Sequence, residues 1–208
     1  QEAEDGLRIR RALFGDRHAH TVNAWQDVAQ AALADNQLGR AEVAAGEALR
    51  HCRGVQGDTA PACALHQLTQ GSALLALGQY QGALDVAQSA ARLAMSGSQA
   101  LPGDEAEALL LAAQAQIALG RQAEAVAILG ALETRLAQTP PASNELLDTV
   151  RQAHLLARAE MIDAAGLRAL ADEASSMARH LAATRGRSHP AYAQALLDAT
   201  GLQARAGE

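Results

Sequence analysis

The sequence predicts an all-α protein, built as a right-handed superhelix of antiparallel helix pairs. Hydrophobic residues make up 49% of the 208 residues, but aromatic residues make up only 2%. The apolar content is mostly Ala and Leu, which favour helices. A helix–turn–helix pattern also recurs three times at intervals of 42 residues, and a fixed period of this size is the signature of a solenoid.

The turn between the two helices of each copy has the same form. A residue that tolerates a left-handed backbone ends the first helix, and a small residue follows five positions later, where the two helices are expected to cross. These positions are occupied by Asn36, Gly78 and Gly120, and by Ala41, Ala83 and Ala125. Valine and isoleucine are too sparse, and the turn signals too widely spaced, for a β-sheet.

The individual helices follow from caps, apolar spacing and breakers along the chain. Thr21 is predicted to cap the first helix of the first full pair, in which Trp25 and Val28 begin an apolar stripe. Clusters of Gly, Pro and polar residues predict loops over 54–61, 96–103 and 139–143. Ser143 or Asn144 can cap the helix that follows the last loop. The predicted helices span residues 3–13, 22–35, 38–51, 62–77, 79–94, 104–119, 122–138, 144–160, 161–181 and 191–205.

These helices are expected to form one repeat domain over residues 1–208. Its predicted parts are the second helix of a truncated repeat (1–14), three clear repeats (21–53, 62–95 and 104–138), a degenerate repeat (143–184) and a capping helix (190–206). The fourth unit is degenerate because its turn lacks glycine at the expected position. Since the truncated repeat lacks its first helix, we expect the chain to be a fragment of a longer protein.

The residues before the first full pair carry a family resemblance. Phe14-Gly15-Asp16-Arg17-His18-Ala19-His20-Thr21 is similar to the linker L-G-x-x-H-P-x-T, with alanine at the proline position, and Gly186, His189 and Pro190 match it again. Together with the small residues Ala29, Gly71 and Ala113, this pattern resembles tetratricopeptide repeats (TPR) in the 42-residue form of kinesin light chains and many bacterial proteins. The resemblance implies a protein-binding solenoid. In bacteria it also implies a parent protein with a Ser/Thr kinase or transcription-regulator domain.

Several classes of function lack support in the sequence. The net charge is −6 without a basic stripe, which argues against nucleic-acid binding, and no segment is long and apolar enough for membrane insertion. We find no glycine-rich phosphate loop, no G-x-S-x-G motif and no H-E-x-x-H motif. The sequence therefore predicts neither an enzyme nor a bound cofactor, and it predicts a protein or peptide as the partner.

One cluster has ligand potential, and it consists of His51, Cys52, Cys63 and His66. Three interpretations remain open. The cysteines can be free, half-buried thiols, because cysteine packs as a small hydrophobic residue. They can form a disulfide that joins neighbouring repeats, which would suit an oxidising compartment. A zinc site is the third interpretation, although the spacing lacks the usual C-x₂₋₄-C form. His18 and His189 occupy the linker position, so we expect them to make structural hydrogen bonds rather than bind metal.

In this repeat family, the residues of the first helices line a concave groove. The register places in it the candidate peptide-binding residues Asn23, Gln26, Gln30, Leu65, Leu68, Leu75, Leu110, Gln114 and Ile117. The alternative is that the leucines belong to the core, since singly exposed apolar residues are ordinary. The predicted function is a non-enzymatic scaffold or regulatory module that binds a peptide or a partner helix in the groove. The second hypothesis is a ligand- or peptide-sensing domain in the cytoplasmic or periplasmic part of a larger bacterial kinase or transcription regulator.

Overall fold

The computed structural model describes residues 2–96, 100–138 and 144–207, and this part of the chain is helical without a β-strand. The predicted cap Ser143, residues 97–99 of the predicted loop 96–103 and the whole of the predicted loop 139–143 lie outside the described residues. The helices are α1 (Glu2–Phe14), α2 (Ala19–Ala34), α3 (Leu38–Gln56), α4 (Ala64–Ala76), α5 (Tyr80–Ala94), α6 (Pro102–Ala118), α7 (Gln122–Ala137), α8 (Asn144–Ala159), α9 (Ala164–Arg185) and α10 (Pro190–Ala206). A 3-10 turn, Pro61–Cys63, precedes α4.

The chain divides into two compact units, the first ending at Gly120 and the second beginning at Arg121. In the first unit, each helix packs against its neighbour in sequence from α1 to α6, and α4 also contacts both α2 and α6. In the second unit, α8 packs between α7 and α9, and α10 packs mainly against α9. None of the helices among the described residues combines the length and the apolar character that crossing a membrane requires.

The turns between paired helices adopt the backbone that the repeat predicts. Asn36, Gly78 and Gly120 have φ angles of 56°, 75° and 76°, which lie in the left-handed region that ends many helices. Each of the three residues donates its backbone N–H to the carbonyl three residues earlier, at 2.9 to 3.0 Å. The equivalent alanines, Ala41, Ala83 and Ala125, are all fully buried.

The core of the first unit is made of small and medium aliphatic residues. One cluster joins α4, α5 and α6, and it includes Leu68, Leu84 and Leu111 with six buried alanines. Gly71 lets α4 approach its neighbours closely, because a methyl group on Gly71 would lie 2.7 Å from Cδ2 of Leu111. The second unit has its own cluster, formed by α8, α9 and α10 around Leu155, Leu170 and Leu202. Both clusters are therefore built from leucine and alanine rather than from aromatic side chains.

The prediction that Thr21 caps α2 is wrong. The helix begins at Ala19, and the cap is His18, whose side chain accepts a hydrogen bond from the backbone N–H of His20. Thr21 is completely buried within the first turn, and its hydroxyl donates to the carbonyl of Gly15 at 2.7 Å. The threonine still stabilises the helix start, but it does so by holding the preceding turn.

Several other helix boundaries also differ from prediction, and two of them have a clear local cause. Helix α3 continues to Gln56, because Gly54 stays helical and the chain turns only at Gly57, with a φ of 95°. Helix α9 begins at Ala164 rather than at residue 161, because Asp163 is its cap and accepts a hydrogen bond from the backbone N–H of Gly166 at 2.9 Å. Aspartate is a strong N-cap residue. The sequence prediction overlooked Asp163 as a cap because it assigned residues 161–163 to the helix.

Candidate functional site

Helices α2, α4 and α6 correspond to the first helices of the three predicted repeats, and all three lie in the first unit. Since α4 contacts both α2 and α6, these three helices form one layer, while α3 and α5 pack behind it. The candidate peptide-binding residues all lie on this layer. We call the outer surface of the layer the first-helix face.

Part of the predicted set is accessible on the first-helix face. The amide side chains of Asn23, Gln30 and Gln114 are exposed, and Leu65 is 39% exposed. Leu75 and Ile117 are half-buried, and Leu75 packs against the cluster that joins α4, α5 and α6. The face therefore combines hydrogen-bonding amides with aliphatic side chains that are only partly covered.

Two predicted leucines lie in the interior. Leu68 is 6% exposed and belongs to the same cluster as Leu111, and Leu110 is 9% exposed. Their side chains support the first-helix face from below and offer little surface to a ligand. Helical register places a residue on one side of a helix, but it does not tell how deeply a neighbouring helix covers it.

Gln26 is also buried, and its amide is used inside the protein. The Nε2 amide donates to the hydroxyl of Thr69 at 2.5 Å, and the Oε1 oxygen lies 2.9 Å from Nδ1 of His66. Since the amide oxygen faces His66, the imidazole carries its proton on Nδ1 and donates it to Gln26. Thr69 donates in turn to the backbone carbonyl of Leu65 at 3.1 Å.

Burial lowers the pKa of His66 from its ordinary value of 6.5 to about 4. The imidazole is therefore neutral at neutral pH, which matches its hydrogen bond to an amide rather than to a carboxylate. The three side chains form a polar connection between α2 and α4 within an otherwise apolar layer. Gln26 thus fixes the spacing of these helices and is not available to bind a peptide backbone.

Cys52 and Cys63 form a disulfide, with their Cα atoms 5.8 Å apart. Both residues are almost completely buried in a small cluster with Val22 and Leu49. The bond connects α3 to the 3-10 turn in front of α4, so it joins two consecutive helix pairs. Within the described residues, no three His, Cys, Asp or Glu side chains are grouped so that they could hold a metal ion.

The linker histidines make the structural hydrogen bonds that were predicted for them. Nδ1 of His18 accepts from the backbone N–H of His20, and Nδ1 of His189 accepts from that of Ala191, each at 3.2 Å. The two residues are the N-caps of α2 and α10. Histidine at this position satisfies one of the otherwise unpaired N–H groups at a helix start.

Sequence reasoning missed a cavity in the first unit. Helices α1 and α3 both pack against α2, and a cavity of about 480 Å³ lies among the three helices. We call it the α1–α3 pocket. Two sequence signals could have indicated it: Arg8 and Arg11 are three residues apart on α1, and Val43 is an apolar residue at an exposed position of α3.

Comparison with known proteins supports the fold and goes no further. The chain is similar to the crystal structure of nearly identical TPR-like repeats from a Podosopora anserina protein described as a kinesin light chain, with a TM-score of 0.60 and 16% sequence identity. The match covers 97% of this chain and 84% of that one. No protein-family model and no curated protein matches the sequence. The chain therefore has a TPR-like helical-repeat solenoid fold.

Proposed function

We propose that this chain is a non-enzymatic interaction module that binds a peptide or a partner helix on its first-helix face. The observation that carries the proposal is the accessible set of amides, Asn23, Gln30 and Gln114, beside the partly exposed Leu65. Amides can pair with the backbone of an extended segment, and aliphatic side chains can receive apolar anchors. Because the set has no charged member, a strongly charged tail is a poor candidate for the ligand.

The buried members of the predicted set have a supporting role in this proposal. Leu68 and Leu110 fill the space below the face, and Gln26 holds α2 against α4. A rigid platform favours binding, since less conformational entropy is lost when the partner docks. The ligand contacts are thus assigned to Asn23, Gln30, Leu65, Leu75, Gln114 and Ile117.

We also propose that the repeats have the 42-residue form and occur in a bacterial protein. The left-handed residues Asn36, Gly78 and Gly120 at equal intervals support the repeats over 21–53, 62–95 and 104–138. A degenerate repeat over 143–184 and a final helix over 190–206 complete the proposed order. The buried disulfide favours an oxidising compartment over the cytoplasm, which makes the periplasmic side of a membrane the better candidate location.

Selection from a displayed library of random peptides tests the binding face. Peptides enriched on the wild-type chain are synthesised, and their dissociation constants are measured against Leu65→Arg and Gln114→Arg. Each substitution places a large cation on the face, so we expect affinity to fall about tenfold or more.

Two matched substitutions control for the change in charge. Leu77→Arg alters a leucine that is 37% exposed at the end of α4, and Gln88→Arg alters an exposed glutamine on α5. Both should bind the peptides as the wild type does, and circular dichroism should show an unchanged fold in all four variants. Failure to enrich any peptide, or equal affinity for the face variants and the controls, would contradict the proposal.

A further inference from the structure

The α1–α3 pocket has the properties of a small-molecule site, and it lies apart from the first-helix face. Leu7, Val28 and Ala44 form an apolar base, and Trp25 adds part of its indole ring. Its volume of about 480 Å³ is in the range of ligand pockets, which are commonly about 300–1,000 Å³ and mostly apolar. The pocket is therefore large enough for a small organic molecule.

The rim of the pocket carries three arginines, although the whole chain has a net charge of −6. Arg8, Arg11 and Arg40 line it, with Glu4 as the single carboxylate among the lining residues. Each of the three arginines also has a carboxylate partner, in Asp5, Asp16 or Glu4, so a ligand anion would exchange with these partners rather than meet an excess of positive charge. Guanidinium groups also match carboxylates geometrically, because they donate two parallel hydrogen bonds.

The arginines keep hydrogen-bond donors for a ligand. Arg8 pairs with Asp5 through one nitrogen, and Arg40 pairs with Glu4 through one nitrogen and donates through another to the side-chain oxygen of Gln37 at 2.9 Å. Arg11 uses two nitrogens on Asp16. All three are solvent-exposed ion pairs, and such pairs contribute only about 0–1 kcal/mol. A ligand carboxylate can therefore share or replace these partners at little cost.

Val43 lies at the rim with 63% of its surface exposed. Removing aliphatic surface of this kind from water is favourable. An apolar ligand group above the base of the pocket would therefore be stabilised by covering the side chain of Val43. The ring of Trp25 already contacts Arg11, 6.0 Å from the ring centroid, and stacks on His51. The apolar contacts that remain for a ligand are mainly aliphatic, which favours an acyl chain over an aromatic ring.

We propose that the α1–α3 pocket binds a small amphipathic carboxylate, with its acyl chain against Leu7, Val28 and Val43 and its carboxylate between Arg8 and Arg40. The apolar base and the rim arginines select together for this class: a neutral alcohol cannot accept two parallel hydrogen bonds from a guanidinium group, and an alkylamine cannot replace a carboxylate partner. A bound ligand touches α1, α2 and α3 at once, so it also stabilises the packing of α1 on the rest of the first unit.

Fluorescence gives a direct measurement, because Trp25 lines the pocket and is the only tryptophan in the sequence. Octanoate, below its micelle-forming concentration, is titrated into the protein and compared with 1-octanol and octylamine. We expect the emission of Trp25 to change with octanoate concentration and to reach a plateau. The dissociation constants of 1-octanol and octylamine should be at least about tenfold higher than that of octanoate.

Paired substitutions on α3 locate the binding. Arg40→Gln removes a charge at the rim, and Arg53→Gln removes one from an exposed arginine outside the pocket. Val43→Asp places an anion at the rim, and Val55→Asp does the same at a valine that is 40% exposed elsewhere on α3. Arg40→Gln and Val43→Asp should each weaken octanoate binding about tenfold, and the two controls should leave it unchanged.

Several results would overturn the proposal. Emission that changes without saturation, or equal affinity for octanoate and 1-octanol, would exclude a site that recognises an anion. Equal losses in the rim variants and their controls would place the binding elsewhere. Because the first-helix face contributes no residue to this pocket, these results leave the peptide-binding proposal to its own test.

Discussion

At the scale of single residues, the most consequential group is His66. It is 5% exposed and donates to an amide oxygen of Gln26, so its neutral form is satisfied and its protonated form is desolvated without a compensating anion. Burial therefore lowers its pKa to about 4. In the unfolded chain the same imidazole titrates near 6.5.

This difference predicts that the protein loses stability in mild acid. Between about pH 6.5 and pH 4 the unfolded chain binds a proton that the folded protein does not, so the free energy of unfolding decreases as the pH falls. Since one pKa unit corresponds to about 1.4 kcal/mol, the whole effect is about 3 kcal/mol. Urea unfolding at pH 7 and at pH 4.5, compared between the wild type and His66→Gln, measures it.

The comparison with His66→Gln is needed because other groups also change their protonation as the pH falls. Burial raises the pKa of Asp104, and burial together with Asp104 raises that of Glu107, so these carboxyl groups stabilise the fold as the pH falls. They are present in both proteins, and their contribution cancels in the difference. A pH dependence that is identical in wild type and His66→Gln would show that His66 is not protonated differently in the two states.

Gln26 shows where sequence reasoning about the site stops. Its position on the same side of α2 as Asn23 and Gln30 is evident from spacing alone. Its partners, however, are 40 and 43 residues away along the chain, and no local pattern indicates that an amide will be used by a neighbouring repeat. The same reasoning applies to Leu68 and Leu110, whose depth depends on the packing of α4 and α6.

At the scale of elements, turns and alternating helices were predictable because their signals are local. Asn36 ends α2 in the left-handed region, as Gly78 and Gly120 do for α4 and α6. The start of α2 was harder, since Thr21 is a strong capping residue by type and His18 is a weaker one. The short turn before α2 decides between them, because it occupies the hydroxyl of Thr21 with the carbonyl of Gly15.

The connection between α3 and α4 leads to a second prediction. The disulfide closes a short loop between residues that are 11 apart in sequence, and in the chain-entropy description a loop of this size contributes about 3 kcal/mol. Reduction should therefore lower the free energy of unfolding by about 2–3 kcal/mol. Urea unfolding with and without a reductant measures the change.

Thiol titration of the unfolded protein, prepared without reductant, provides the check on that measurement. It should detect no free thiol, since the sequence has only two cysteines. The double variant Cys52→Ala/Cys63→Ala should have reduced stability in both conditions and should not respond to reductant. Two titratable thiols in the wild type would contradict the bond itself.

At the scale of the whole molecule, the fold class was predictable because composition, turn chemistry and the 42-residue register agree. Agreement between local and long-range signals is what lets a sequence specify one fold. The α1–α3 pocket was not predictable, because it depends on the space that remains when α1 and α3 pack on α2. The division of the chain at Gly120 also lacks a signal in the sequence, where the turn resembles those after Asn36 and Gly78.

The division predicts that the first unit folds by itself. Residues 1–120 enclose the cluster of α4, α5 and α6, to which α6 contributes Ala108, Leu111, Ala112 and Ala115. A fragment of residues 1–120 should therefore be helical and unfold cooperatively in urea. A fragment ending at Ser96 should not, because the loss of α6 leaves Leu68 and Leu84 without their cover.

Leu111→Ala within the longer fragment removes part of the same contact and should lower the free energy of unfolding by about 2–5 kcal/mol. Leu77→Ala, at a position 37% exposed, should change stability little. If residues 1–120 lack a cooperative transition, or if the shorter fragment unfolds as they do, then α6 does not complete the core of this unit.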